Sequence, residues 1–149
     1  MNNIGKYISY KEATRSQTAT RLQIDNMPNG EHLANMKILY DKVFEPLRMW
    51  YGKPIRISSF FRSQELNKSI GGSSNSQHCS GMAIDLDTEK DNSKLFNYIL
   101  NYLDFDQLIY EFGDAINPAW VHVSYNHKGN RKQVLKAVKN NGRTQYIEL

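Results

Sequence analysis

His78, Asp85 and His122 are the residues whose types and spacing offer chemistry. Two imidazoles and a carboxylate form the protein half of a hydrolytic zinc site, which keeps a further position open for water. His78 lies in the small-residue loop Ser76-Gln77-His78-Cys79-Ser80-Gly81, and Asp85 in the strand-like run Met82-Ala83-Ile84-Asp85-Leu86-Asp87 that follows. His122 occupies a second β-type run, Trp120-Val121-His122-Val123-Ser124. Strand alternation groups Asp85 with Ala83 and Asp87, and His122 with Trp120 and Ser124. If the two strands are neighbours, one face carries both ligands, and Gly81 lets the backbone turn tightly enough to bring His78 back over the carboxylate. Spacing alone leaves two points open. Asp87 competes with Asp85, and each of the three residues could simply hydrogen-bond locally.

The elements that must position these groups are legible from caps and periodicity. Ser9-Tyr10-Lys11-Glu12 reads as a capping box opening a short helix through about Arg15, and Ser16 caps a second short turn. Asp25-Asn26-Met27-Pro28-Asn29-Gly30 is a break. From Glu31 to about Trp50 the apolar positions Leu33, Met36, Tyr40, Val43, Phe44 and Leu47 step by three and four, as on an amphipathic helix, with Pro46 kinking or shortening the last turn. Ile55 to Phe60 alternates as a half-buried strand. Ser63 caps a helix from Gln64 to about Ile70, stopped by Gly71-Gly72. Asp91-Asn92-Ser93 caps a helix with Leu95, Phe96, Ile99, Leu100 and Leu103 on its apolar side. Gln107 to Phe112 and Trp120 to Tyr125 read as antiparallel strands. Gln133 to Lys139 and Thr144 to Leu149 read as a terminal hairpin about Asn140-Asn141-Gly142. Helices first and strands later predict an α+β fold.

With 149 residues, 40% of them hydrophobic, the chain is expected to form one domain spanning 1–149. The net charge of +4 is scattered, a weak signal for polyanion binding. One cysteine excludes an intrachain disulfide. The start Met1-Asn2-Asn3-Ile4-Gly5-Lys6 has no signal-peptide core, and no apolar run approaches the roughly 20 residues of a membrane span.

Read as strings, the motifs say more. Ser76-x-His78 followed by six residues and Asp85 resembles the first signature of the zinc D-alanyl-D-alanine carboxypeptidase and murein endopeptidase family, and Trp120-x-His122-x-Ser124 resembles its second. Asp25-Asn26-Met27-Pro28, Pro46-Leu47-Arg48, Ser58-Ser59-Phe60-Phe61-Arg62-Ser63, Leu66-Asn67 and Gly71-Gly72-Ser73 look like the branch found in phage and bacterial cell-wall hydrolases. The resemblance implies the hedgehog-like fold, a small antiparallel sheet flanked by helices, with His78, Asp85 and His122 holding Zn2+. It also implies a substrate, the peptides of peptidoglycan, cut by D,D-carboxypeptidase or endopeptidase action as in an endolysin.

Such chemistry needs a carboxylate to take the proton of water and pass it to the leaving amine. Many relatives carry Glu or His three residues before the second histidine, where this chain has Ala119. Glu111, closing the strand beside that of His122, is the candidate base, with Asp114 as fallback. Arg62 matches an arginine that the family uses on the substrate carbonyl or the oxyanion, which a guanidinium can meet with fixed donors. Ser76 either shapes the ligand loop or meets substrate, and Ser124 is a candidate to steady the site. Trp120 is equally readable as core or groove wall. Cys79 reads as a bystander, and His32 and His127 as surface residues. Lys128, Arg131 and Lys132 form a small basic cluster.

The expected function is therefore a zinc peptidase of peptidoglycan, acting as a monomer without nucleic acid or membrane. It would stay in the cytoplasm until lysis or travel in a virion. The rival is a non-catalytic zinc-binding or structural domain of the same fold, such as a virion or wall-binding component, and Ala119 is its main support.

Overall fold

The structure, a computed structural model, describes residues 3–149. Serines start the first two helices. Ser9 Oγ accepts the Glu12 N–H at 3.0 Å while the Glu12 carboxylate accepts the Ser9 N–H at 3.1 Å, a reciprocal box that opens α1 (Tyr10–Thr14). Ser16 Oγ accepts from the Ala19 N–H at 3.1 Å and opens α2 (Gln17–Leu22). In α3 (Gly30–Leu39) the cap is Asn29, and His32 reciprocates by accepting the Asn29 N–H on Nδ1. His32 therefore has a structural role in place of the plain surface position expected of it.

The long helix does not stop or shorten at Pro46. It runs on through a π turn (Tyr40–Phe44) into α4 (Glu45–Tyr51). A proline ring crowds the carbonyl four residues back and offers no N–H. The wide turn just before Pro46, in which Glu45 N–H reaches Tyr40 O, absorbs that mismatch.

Six strands follow, with α5 (Gln64–Ser69) and α6 (Asn92–Tyr102) between them: β1 (Arg56–Ser59), β2 (Ala83–Asp87), β3 (Gln107–Glu111), β4 (Trp120–Ser124), β5 (Gln133–Asn140) and β6 (Arg143–Glu148). They form one sheet in the order β1-β2-β4-β3-β5-β6. The fold is α+β, as predicted. The sheet is antiparallel except for the β3–β5 pair, which is parallel and makes it mixed. The cause lies in the β4–β5 link. Buried Asp106, just before β3, accepts Arg131 N–H at 2.8 Å, Nε at 3.1 Å and Nη2 at 2.9 Å. This fixes the start of β5 beside the start of β3, and the two run together from the Gln107–Gln133 pair. Arg131 is thus tied down, whereas the sequence placed it in a free basic cluster. The β5–β6 turn is Asn141-Gly142, both in the left-handed region at φ 53° and 77°, which is the two-residue hairpin its composition predicts.

One face of the sheet packs on the helices. Ile84, Leu86, Val121, Val123 and Leu108 are fully buried there in one cluster with Met36, Leu39, Val43, Leu47, Leu95 and Ile99. Each such side chain contributes about 1.5–3 kcal/mol on burial. Asn92, also fully buried, knots the end of β2 to the approach to β4: its amide donates to Asp87 Oδ1 at 2.9 Å and to the Pro118 and Ala119 carbonyls at 3.1 Å. The opposite face of the sheet carries polar groups, Asp85, His122 and Glu111 among them. Among the described residues no helix is long and apolar enough to cross a membrane.

Candidate metal centre

The register brings the two halves together. Asp85 pairs with His122, and His122 with Ile109, so one row of side chains crosses β2, β4 and β3 on the face opposite the main helix-packed core. The next row holds Trp120, Glu111, Ala137 and Tyr146. His78 enters from above, on a 3-10 turn (Gln77–Ser80) that Ser76 starts by accepting the His78 N–H at 3.3 Å. Gly81 ends the turn at φ +75°, and a Cβ there would lie 2.5 Å from the His32 carbonyl oxygen. Only glycine allows the ligand loop to sit so close to α3.

His78, Asp85 and His122 each present one donor atom, all within 4.8 Å of one another. His78 Nε2 lies 3.2 Å from Asp85 Oδ2, and His122 Nδ1 lies 3.0 Å from Asp85 Oδ1. His78 Nδ1 sits 2.7 Å from the Phe60 carbonyl, which can only accept, so Nδ1 carries the proton and Nε2 keeps its lone pair. That Nε2 is buried and has no hydrogen-bond partner. Burial holds the His78 imidazole below its usual pKa, against the opposing pull of Asp85. Burial also opposes the charge of Asp85, but the adjacent His78 and His122 outweigh it and keep the carboxyl far below the usual carboxylate range. A neutral imidazole with an orphaned lone pair, an ionised carboxylate and a second imidazole suit zinc, and the hydrogen bond behind His78 is the backing that such ligands use.

Around this centre lies an open groove of about 830 Å³. Arg62 borders it, with Nε donating to Ser59 Oγ at 3.1 Å, Nη1 to Asn67 Oδ1 at 2.9 Å, and Nη2 at 3.6 Å from Asp85 Oδ2. Glu111 is 6% exposed in the same groove, one row along from His122. Burial raises its pKa to about 7, Asp85 adding to the rise while His122 and Arg62 oppose it. Trp120 lines the groove, with its ring 5.3 Å from that of Phe112, so of its two readings the wall is the one realised.

Other expectations sort out differently. Asp87 points to a cap: its Oδ1 accepts from Glu89 N–H and the Asn92 amide, both at 2.9 Å, which removes it as a rival ligand. Asp114 folds back on its own loop, accepting the Ile116 and Asn117 N–H groups at 2.9 and 3.0 Å, and it does not line the groove. It is no substitute base. Ser124 Oγ accepts the Gln107 N–H at 3.0 Å, joining β4 to β3 instead of steadying a ligand. Cys79 is buried, and burial raises its thiol pKa, as befits a bystander. His127 is exposed.

The sequence model of the peptidase M15 family matches residues 6–124. The chain belongs to the peptidase M15 family. Zinc is the cofactor of M15 peptidases, and the His78–Asp85–His122 group of this M15 chain is able to hold it. Among curated proteins no sequence matches the chain. The family match ends at Ser124, so β5 and β6 lie beyond it.

Two features of the M15 site escaped the sequence reading. Asn67, 1% exposed, steadies Arg62 and donates to the Ser73 carbonyl at 2.7 Å, so it ties the guanidinium to the ligand loop. The string Leu66-Asn67 signalled kinship but not this duty. Tyr146 and Glu148 of β6 line the groove as well. No local motif marks them, because only strand pairing carries them there.

Proposed function

We propose that this M15 chain hydrolyses an amide bond in the peptide stem or crossbridge of peptidoglycan, as a D,D-carboxypeptidase or endopeptidase of the phage-lysis or virion type. The observation that carries the catalytic part is the buried Glu111 carboxylate, set in the groove one row from His122. The cell-wall part rests on the resemblance of the strings around Arg62, His78 and Asp85 to cell-wall hydrolases.

His78, Asp85 and His122 would hold zinc, which would supply Lewis-acid polarisation of the scissile carbonyl and acidify water. Glu111 takes the proton from water and delivers it to the leaving amine. A carboxylate with its pKa near working pH is suited to both directions of transfer. Glu111 thereby fills the role for which Ala119 has no group. Arg62, fixed by Ser59 and Asn67, turns Nη2 towards the site and meets the substrate carbonyl as negative charge develops on its oxygen. Ser76, at the groove edge, holds the ligand turn and offers a hydroxyl to the peptide.

Digestion of purified murein with zinc-loaded protein, followed by mass spectrometry of the fragments, tests activity and bond choice together. Soluble fragments bearing new amino and carboxyl ends are expected, and their loss on chelation. Ala119 keeps the non-catalytic domain as the second reading; intact murein of every type after exposure to zinc-loaded wild-type protein would establish that reading instead.

A further inference from the structure

The metal groove has a neighbour. A second cavity of about 580 Å³ opens between the start of α2 and the edge strand β1, and it shares Arg62 and Ile70 with the groove. Its wall holds the guanidinium residues Arg15, Arg56 and Arg62, the hydroxyl residues Ser16, Thr18 and Ser58, and no carboxylate. Arg62 is engaged by Ser59, Asn67 and Asp85. Arg15 and Arg56 are exposed, and among the described residues neither forms a salt bridge.

Like charges gathered on a concave wall repel one another and focus a positive potential into the space between them. Asp85 offsets the charge of Arg62, but no carboxylate in this wall offsets those of Arg15 and Arg56. A guanidinium presents parallel N–H donors that match the two oxygens of a carboxylate, and neighbouring hydroxyls can complete its hydrogen bonds. Arg62 borders both cavities, so a peptide held at the metal centre can extend past it into the second.

We propose that this cavity is a subsite for a carboxylate of the peptide substrate, received by Arg15 and Arg56. The proposal rests on reading the metal groove as a peptide site. Murein stem peptides offer this chemistry twice, at the C-terminus and on the glutamyl residue. The subsite would favour acidic stems over amidated ones and set the direction in which the peptide lies.

Three synthetic stem peptides test it: one with both carboxylates free, one amidated at the C-terminus, and one amidated on the glutamyl residue. Each is measured twice. Steady-state cleavage is followed with zinc-loaded wild-type protein and the Arg15→Gln/Arg56→Gln variant, and calorimetric binding with the same two backgrounds carrying Glu111→Gln to prevent turnover. The free acid should have a KM and a Kd about tenfold lower than one of the amides, and the amide that loses identifies the carboxylate. In the double variant that ratio should collapse to about one, with zinc content and Tm held, since both arginines are exposed. Cleavage by wild type with no acid preference, or a double variant that keeps the ratio, overturns the subsite and leaves the peptidase reading standing. No cleavage of any of the three by wild type, together with no binding of any by the Glu111→Gln protein, overturns both.

Discussion

Glu111 concentrates the chemistry of the site in one residue. A carboxylate that is 6% exposed and titrates near pH 7 is expensive to keep charged, because burial removes the water that would solvate it. If it is the base, Glu111→Gln lowers kcat by about 10²- to 10⁴-fold while bound zinc, measured by metal analysis, stays at the wild-type level. The pH profile follows from the sign of the shift. The base works ionised, so kcat/KM falls as pH drops through its pKa. The positive charge of the ion favours the ionised form, so this limb should lie below the ion-free value of about 7. The Glu111→Gln variant should lose the limb. His78 behaves differently, because its role is set by what lies behind it: the Phe60 carbonyl fixes the tautomer and leaves Nε2 facing Asp85.

At the scale of elements, the parallel β3–β5 pair is anchored at its start by Asp106 and Arg131. Asp106 is 2% exposed; burial opposes its charge, yet the hydrogen bonds from Arg131 and the Gln77 amide outweigh this and lower its pKa. A carboxyl whose folded pKa is depressed adds stability above its unfolded pKa of about 4 and loses it as pH falls through the folded value. Asp106→Asn should therefore cost about 2 kcal/mol at pH 7, discounted for the exposed guanidinium of Arg131. The gap from wild type should narrow in chemical denaturation below about pH 4. Because Gln77 starts the ligand turn, Asp106 also ties the sheet to the loop of His78.

Taken as a whole, the molecule is a sheet with a helix-packed face and a chemical face, and the chemical face extends beyond the family match. The row Trp120–Glu111–Ala137–Tyr146 crosses four strands, with the small, fully buried Ala137 between Glu111 and Tyr146. Partial desolvation on the groove wall raises the Tyr146 pKa although the residue is largely exposed, and the charges of Glu111 and Asp85 add to the rise. Tyr146 is 55% exposed, so Tyr146→Ala should leave Tm and zinc content intact. KM for a murein peptide should rise about three- to tenfold in steady-state assays.

The sequence by itself determined what is local. Caps at Ser9, Ser16 and Ser63 marked helix starts, β-rich runs marked the strands that carry Asp85 and His122, and Asn141-Gly142 marked the hairpin, because each of these signals acts over a few residues of backbone. Spacing offered His78, Asp85 and His122 as a set with Asp87 competing, since it shares strand parity with Asp85, and only the resemblance of the whole string to a family signature favoured Asp85. Tertiary structure gives the physical reason, engaging Asp87 with Asn92 and pairing Asp85 with His122. It likewise removed Asp114, enlisted Asn67 and bent Arg131 to Asp106. Each of these outcomes depends on which distant strand or loop lies alongside, and residue spacing along the chain does not encode that distance.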